Sequence, residues 1–442
     1  MTTAPFPALA IAMARPMPDA APVTTAVSPM KSMQALCGEL HREDWVDEAS
    51  FDQVLTAVRQ FVRERVIPRE EEIERSDAIP DDLRSAAAAL GLFGYALPEE
   101  YGGAGVTVTQ DVRLAFEFGY TTPAFRSMFG TNNGIAGQVI AKFGSAEQQR
   151  AFLPRLASGE LIASFALTEP EAGSSPAGLK TSARRDGAEW LLAGSKRFIT
   201  NAPLAGLFVV FARTERAPDA SLAGEAGGPS PRPGHGISVF LVEAGSPGLT
   251  VGPRDHKMGQ RGAWTAEVHF DDVRVPADRL VGDEGRGYRS AMSVLARGRL
   301  HIAGLCVGSA QRVLDESVAH AALSKQGGRP IGDYQLVQAM LADSYAELVA
   351  GRSLALTAAE RYDAGVDVAA GPSAAKLFCS EMVARVADRG VQIHGGLGYL
   401  SSTVVERMYR DCRLYRLYEG TSEIQKLIIA RELLSAVDVA PR

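Results

Sequence analysis

The spacing of apolar side chains changes twice along this chain of 442 residues, and those changes restrict the fold more than any other feature. From about residue 50, apolar residues recur with the period of an amphipathic helix, as in FDQVLTAVRQFVRERVIP. Near residue 163 the period becomes that of a β-strand, and from about residue 285 the helical period returns. The pattern predicts an α+β protein with an N-terminal all-α domain, a middle antiparallel β-barrel-like domain and a C-terminal four-helix bundle.

Domain boundaries follow from the same changes. We predict an N-terminal helical domain over 46–163, a β-domain over 164–282 and a four-helix bundle over 283–442. Residues 1–45 are rich in alanine and proline, and only Arg15 and Lys31 supply positive charge before residue 42, which favours a disordered tail over a transit peptide. The low-complexity segment 215–235 is longer than a hairpin needs and is predicted to be a mobile surface loop.

Composition argues against several classes of function. The net charge is −6, the pI is near 5.8, and no long cluster of lysine and arginine offers a nucleic-acid surface. No apolar run approaches the ~20 residues that a membrane span needs. The cysteines lack metal-ligand spacing, so we interpret them as reduced thiols and predict no metal site: Cys37, Cys306, Cys379 and Cys412. Three histidines in predicted strands or helices are interpreted as structural or exposed: His269, His301 and His320.

Three glycine- and hydroxyl-rich segments lie at the edges of predicted elements. In FALTEPEAGSS, Pro170 and Gly173 turn the chain, while Thr168, Ser174 and Ser175 supply hydroxyl donors. RFITNAP ends a predicted hairpin, and VQIHGGLGY closes a bundle helix with free backbone amides. A Walker loop, a GxSxG elbow and a complete dinucleotide fingerprint after a strand are all missing from the sequence. Each segment alone is typical of a turn or cap.

Together and in this order, these segments resemble the signatures of the acyl-CoA dehydrogenase family over roughly residues 50–435. The matching stretches are LPEEYGG, LTEPEAGS, FITN, DDVRVP, QIHGGLGY and YEGTSEIQ. The resemblance implies FAD held between the β-domain and the bundle, without a Rossmann fold. It assigns flavin contacts to Phe165, Leu167, Thr168, Gly173, Ser174, Phe198 and Thr200. It assigns contacts to the adenosine half of FAD, several of them from a neighbouring subunit, to Gln335, Gln392, Gly395, Gly396, Thr421 and Glu423.

The resemblance also implies a catalytic base and substrate contacts. The glutamate of YEG, here Glu419, would remove the α-proton of an acyl thioester. Substrate contacts are expected from Ser174, Arg299, Tyr418 and Gly420. Some relatives carry the base on the helix of LARGR, where this chain has Gly298, so Glu419 is the single candidate. The pattern of Ser422 to Gln425 predicts a capping box and a last helix that begins just past Glu419.

This chain departs from the family pattern at several positions. Phe198 stands where Trp is more common, and Ala296 where several members have an acid that meets CoA. Ser324 and Gly327 occupy the positions of an arginine and a phenylalanine that contact FAD across a subunit boundary. Two nearby cations could replace that arginine, Lys325 and Arg329. An aromatic-rich stretch, DVRLAFEFGYTTPAFRSMF, is the expected pocket helix and favours a compact or branched acyl group.

The function expected from the resemblance is FAD-dependent α,β-dehydrogenation of an acyl-CoA to a 2,3-enoyl-CoA. Flavin N5 would take the β-hydride, and an electron-transfer flavoprotein would accept the electrons. Two alternatives stay open: a flavin oxidase acting on another substrate, and a flavin-poor binding subunit without catalysis. We expect a homotetramer or homodimer, located in the cytoplasm of a bacterium or in the mitochondrial matrix of a eukaryote.

Overall fold

The computed structural model describes residues 48–214 and 234–435. The tail predicted over 1–45 lies outside these residues, as does all but the end of the loop predicted over 215–235. The three-part α, β, α order is confirmed, and helices begin and end the described chain. Within this part of the chain, no helix combines the length and apolarity that a membrane crossing needs. The described residues also contain no cluster of His, Cys, Asp and Glu suited to a metal ion.

Seven α-helices build the N-terminal part. They are α1 (Glu48–Phe61), α2 (Glu70–Ser76), α3 (Asp81–Ala89), α4 (Val108–Gly119), α5 (Pro123–Asn133), α6 (Ala136–Phe143) and α7 (Ala146–Ser158). The capping box predicted at Ser145 and Gln148 is confirmed, and Thr107 with Gln110 forms a second one at the start of α4. In each box two backbone N–H groups that the helix leaves unpaired are satisfied by side chains.

Aromatic side chains of α4 and α5 pack into the core. Phe118, Phe125 and Phe129 are fully buried, and their rings meet edge to face at centroid distances of 5.2 to 6.5 Å. None of them lines a cavity beside Glu419. The aromatic residues that suggested a compact acyl pocket therefore stabilise the fold instead.

The middle part is a sheet of eight strands. They are β1 (Ala163–Ala166), β2 (Ser182–Asp186), β3 (Glu189–Thr200), β4 (Leu207–Arg213), β5 (Ile237–Glu243), β6 (Leu249–Val251), β7 (Thr265–Pro276) and β8 (Leu280–Val281). The hairpin predicted around Asp186-Gly187 is confirmed as β2 and β3. The order is β6-β7-β3-β2-β4-β5-β8. The sheet is not wholly antiparallel, because β1 and the start of β2 both pair parallel with β4.

Long helices form the C-terminal part. They are α8 (Gly287–Leu323), α9 (Gln335–Asp363), α10 (Ala370–His394), α11 (Val404–Cys412) and α12 (Ser422–Ser435), with the short strands β9 (Lys325–Gln326) and β10 (Arg329–Pro330) between the first two. The four predicted bundle helices are present, and α11 is an addition to them. Helix α8 touches α4 so closely that a Cβ on Gly308 would lie 2.1 Å from the Phe116 carbonyl oxygen. The two helical parts consequently share one core.

The last helix begins at Ser422, close to the predicted start. The predicted capping box is wrong, however, because Thr421 is the residue whose side chain accepts the N–H of Ile424. Ser422 instead donates its hydroxyl to Glu381, and Gln425 turns its amide back toward residues 419 and 420. The polar side chains at this helix start therefore fasten the preceding turn.

Candidate active site

Glu419 lies on a tight turn between a 3₁₀ segment, Arg413–Arg416, and α12. Its φ is 55° and that of Gly420 is 86°, so two successive residues adopt the left-handed conformation that few side-chain-bearing residues occupy. The Gln425 amide donates to the carbonyl oxygens of both residues, at 3.1 and 2.9 Å. The Lys376 ammonium donates to the Gly420 carbonyl at 2.7 Å. These hydrogen bonds stabilise the strained turn.

The carboxylate of Glu419 has no hydrogen-bond partner on its buried Oε2 atom. Burial raises the pKa of Glu419 above its ordinary value, and the positive charges of Arg126, Arg299 and Lys376 oppose that rise. A Cβ on Gly298 would lie 3.0 Å from Oε2, so the glycine leaves the space that the carboxylate occupies. An unpaired carboxylate with a raised pKa is suited to accept a proton.

Two cavities meet at this glutamate. The outer cavity lies between the sheet and the bundle, and it brings together most of the residues singled out in the sequence: Phe165, Leu167, Thr168, Gly173, Ser174, Phe198, Thr200, Arg299, Tyr418, Glu419 and Gly420. The more enclosed inner cavity lies between α5, α8 and the turn, and Tyr418, Glu419 and Thr200 line both. The carboxylate thus stands at the junction of the two.

The loop after β1 is anchored from behind by a buried ion pair. Lys196 donates to Glu169 at 2.7 Å and to the Leu167 carbonyl at 3.2 Å, and it is fully buried. Burial lowers the pKa of Lys196 to about 8. Burial would raise the pKa of Glu169, but Lys196 and the backbone N–H groups of Lys180 and Thr181 hold it below its ordinary value. The anchored loop presents Thr168, Gly173 and Ser174 to the outer cavity.

Phe198 is turned out of its strand. The register of β3 against β7 shifts between Lys196 and Ile199, and Phe198 has a φ of 58° with 59% of its surface exposed. A strained, exposed aromatic side chain facing a cavity is typical of a ligand contact. Asn201 has a similar φ of 63°. Its amide donates to the Ser127 carbonyl and the Thr131 hydroxyl, so hydrogen bonds within the protein stabilise this strained conformation.

A second group of predicted cofactor residues lies away from the outer cavity. Four of them are on the surface of the bundle, at the start of α9 and the end of α10: Gln335, Gln392, Gly395 and Gly396. Glu423 is exposed on α12, and Thr421 is half-buried as its cap. Their surface position is compatible with contacts to a neighbouring subunit, and that role stays a prediction.

The hairpin after α8 carries Lys325 and Arg329, the two cations that could replace the arginine that many family members have at the position of Ser324. One of these two cations makes contacts within the hairpin itself. The Arg329 guanidinium lies over the Tyr334 ring, 4.1 Å from its centroid, and the Tyr334 hydroxyl donates to the Gln326 carbonyl. Arg329 is therefore occupied within its own hairpin. Lys325 is exposed on β9 and is the better candidate for a contact beyond this chain.

Sequence reasoning did not single out the side chains that hold the site in place. They are Arg126, Glu169, Lys196 and Lys376; Gln425 was named only as part of the capping box and not for its bonds to residues 419 and 420. A signal existed for Lys376, since it lies in the otherwise apolar stretch AAKLF, where a charge needs a buried partner. Lys196 is followed by the charged Arg197, so its stretch carries no such signal. Nothing local reveals the partners, because they lie 27 and 44 residues away along the chain.

Comparison with known proteins agrees with the fold and the site. The family models of the acyl-CoA dehydrogenase N-terminal, middle and C-terminal domains match residues 49–160, 164–273 and 285–434. An acyl-CoA dehydrogenase of Bacillus subtilis is 38% identical over 377 residues, or 85% of this chain and 96% of that protein. The caffeyl-CoA reductase-Etf complex subunit CarC of Acetobacterium woodii is 35% identical, over 82% of this chain and 92% of its own.

Solved structures show the same architecture. Butyryl-CoA dehydrogenase from Megasphaera elsdenii superposes with a TM-score of 0.81 at 30% identity, covering 87% of this chain and 98% of that one. The three-part fold, with an unpaired carboxylate where sheet and bundle meet, therefore defines an oxidoreductase of the flavoprotein dehydrogenase class. The chain belongs to the acyl-CoA dehydrogenase family.

Proposed function

We propose that this protein catalyses the FAD-dependent α,β-dehydrogenation of an acyl-CoA thioester to a 2,3-enoyl-CoA. One observation carries the proposal: the buried, unpaired Oε2 of Glu419 stands at the junction of the outer and inner cavities. A carboxylate so placed reaches a substrate that enters from one cavity and extends into the other. Its raised pKa suits it to take a proton from carbon.

The outer cavity fits a flavin. Its wall carries the apolar rings of Phe165 and Phe198 for a planar group, and the hydroxyls of Thr168, Ser174 and Thr200 for polar ring edges. A Cβ on Gly173 would meet nothing within 4 Å, so this loop leaves room for a ligand against its backbone. FAD, when bound, would supply the hydride acceptor of the reaction.

Residues of this chain orient the thioester and hold the proton. Glu419 accepts the α-proton on Oε2. Among the described contacts, the backbone N–H of Glu419 donates to no protein group, so it is free to donate to the thioester carbonyl oxygen. A donor placed there stabilises the negative charge that develops on that oxygen as the proton leaves. Lys376 and Gln425 fix the turn on which both groups of Glu419 depend.

Partners and assembly follow the same proposal. We infer an electron-transfer flavoprotein as the electron acceptor, supported by the relative described as part of an Etf complex. The exposed positions of Gln392, Gly395 and Gly396 support an assembly of two or four subunits in which these residues reach a neighbour's FAD. The location expected is the cytoplasm, or the mitochondrial matrix in a eukaryote.

The test uses purified protein reconstituted with FAD. Its visible spectrum is recorded while a panel of acyl-CoA thioesters is added without oxygen, and bleaching of the flavin by at least one thioester is expected. Glu419→Gln should retain FAD and lose about 10²- to 10⁴-fold of the reduction rate, the usual range for a general base. Glu100→Gln, a change at an exposed residue that lines neither cavity, is the control. A protein that binds no FAD, or equal bleaching in Glu419→Gln, would contradict the proposal.

A further inference from the structure

Arg126 lies in the wall of the inner cavity without an acidic partner. It extends from α5, and the inner cavity that it lines also contains Glu419. Its Nε donates to His301 Nε2 at 2.7 Å. Among the residues that the structure describes, no carboxylate forms an ion pair with Arg126. The side chain lies across Gly130, where a Cβ would be 2.7 Å from its Cζ. Arg126 is thus held in place while its terminal nitrogens stay available.

One buried acid of the inner cavity, Asp111, is already hydrogen-bonded to other groups. Asp111 accepts hydrogen bonds from His301 Nδ1 at 2.8 Å, from the Tyr95 hydroxyl at 3.1 Å and from Arg297 Nε at 3.3 Å. Burial would raise the pKa of Asp111, but His301 and Arg297 hold it well below its usual range. His301 donates from Nδ1 and accepts from Arg126 on Nε2, so it is neutral, and burial lowers its pKa. Neither Asp111 nor His301 therefore supplies Arg126 with a hydrogen-bonded negative charge.

The other charged groups of the inner cavity form no ion pair with Arg126 among the described residues. Lys257 also lines it and donates to the Ala263 carbonyl at 2.5 Å, and burial lowers its pKa. The acidic groups are Asp111, whose oxygens are already hydrogen-bonded, and Glu419, whose Oε2 has no hydrogen-bond partner among the described residues. An unsubstituted alkyl chain entering the cavity would displace water from the Arg126 guanidinium without forming a hydrogen bond to it. Desolvating a charge without such a bond is unfavourable.

We propose that the inner cavity binds a terminal carboxylate of the acyl group, with Arg126 as its partner, so that the substrates are CoA monothioesters of dicarboxylic acids. This inference rests on the proposed function, because it places the acyl chain on the inner side of Glu419. A carboxylate accepts two parallel N–H donors from a guanidinium, and a buried pair of this kind discriminates strongly against a methyl end. Arg126 then acts as a specificity-determining residue.

The experiment compares matched thioesters on the FAD-reconstituted full chain. Succinyl-, glutaryl- and adipyl-CoA are paired with butyryl-, pentanoyl- and hexanoyl-CoA, and kcat/KM for flavin reduction is measured for each. At the best chain length we expect the carboxylate-bearing thioester to be preferred. Arg126→Met should lower its kcat/KM on the order of a hundredfold, mostly through KM, and should change the alkyl partner far less. Arg126→Lys should recover part of the loss.

Several results would overturn the inference. One is a preference of the unmodified protein for the alkyl thioester at every length. Another is an equal loss of kcat/KM for the carboxylate-bearing and the alkyl thioesters in Arg126→Met. That result would mean that Arg126 acts only on the charge of Glu419. In either case reduction by alkyl thioesters leaves the proposed function standing, whereas reduction by neither series contradicts both proposals. Arg150→Met, an exposed change on α7, is the control and should leave the preference unaltered.

Discussion

Gly298 of α8 lies directly against the carboxylate of Glu419, so that a Cβ on the glycine would be only 3.0 Å from Oε2 and 3.4 Å from Cδ. The two residues are 121 positions apart in sequence, and only the packing of the turn on α8 brings them together. The glycine therefore has a specific role, which is to leave room for a carboxylate that points into the junction of two cavities. Any side chain at position 298 would therefore crowd the carboxylate in this position.

Gly298→Ala should lower activity without unfolding the protein. The new methyl group meets the end of a side chain, so the Glu419 carboxylate moves by a few tenths of an ångström and the backbone does not. We expect flavin reduction to slow by about tenfold to a hundredfold, because small displacements of a reacting group are costly. Thermal unfolding should be unchanged. Gly308→Ala on the same helix is the contrast, since its Cβ meets a backbone carbonyl and should destabilise the fold by ~1–3 kcal/mol.

Lys376→Met should move the acid limb of the pH–rate profile. The base works only when Glu419 is ionised, so the rate falls as pH drops through its pKa. Lys376 favours the ionised form, and its removal raises the pKa of Glu419 further. The limb of kcat/KM should therefore shift to higher pH in the variant. Lys426→Met changes an exposed lysine on α12 and serves as the control. An acid limb at the same pH in Lys376→Met would argue against this electrostatic role.

Phe198→Gly should weaken FAD binding without lowering the stability of the protein. The left-handed backbone of Phe198 costs ~1–2 kcal/mol, and glycine relieves most of that strain while losing some conformational entropy. The melting temperature without FAD should stay level or rise. FAD affinity, measured by flavin fluorescence, should fall about tenfold with the loss of the ring. Asn201→Gly relieves similar strain but breaks two buried hydrogen bonds, so it should lower the melting temperature. Unchanged FAD affinity in Phe198→Gly would remove Phe198 from the cofactor site.

Lys196→Met should destabilise the loop after β1. It leaves the Glu169 carboxylate buried without its cation, a change that costs ~3–5 kcal/mol. The double variant with Glu169→Gln should recover part of the loss in urea unfolding. Glu169 has a lowered pKa, so its stabilising contribution is complete above the ordinary carboxyl range and is lost as pH falls through the folded-state pKa. The difference in the free energy of unfolding between wild type and Lys196→Met should accordingly become smaller at acidic pH. Lys180→Met, which breaks an exposed pair with Glu171, should change little.

The order of the three parts could be predicted from the sequence because it depends on local periodicity. Apolar residues at helical or alternating spacing report which face of each element is buried, and the turn at Asp186-Gly187 needs only neighbouring residues. The segments around Thr168, Phe198 and Glu419 were recognisable for the same reason, since each is a short run. Parallel pairing of β1 with β4 was missed because strand direction depends on a connection of about 40 residues.

Sequence by itself thus determined the fold class and the residues that face the outer cavity. Tertiary structure alone decided how those residues are held and which charges surround them. Lys376 meets Gly420 across 44 residues, and Arg126 meets His301 across 175. Buried charges act through distance and desolvation, and both are set by packing between elements that are remote along the chain. The aromatic stretch of α4 and α5 is a further example. Its spacing did not reveal that its rings lie in the core and that Arg126 lines the cavity, because only the packing of the helices decides this.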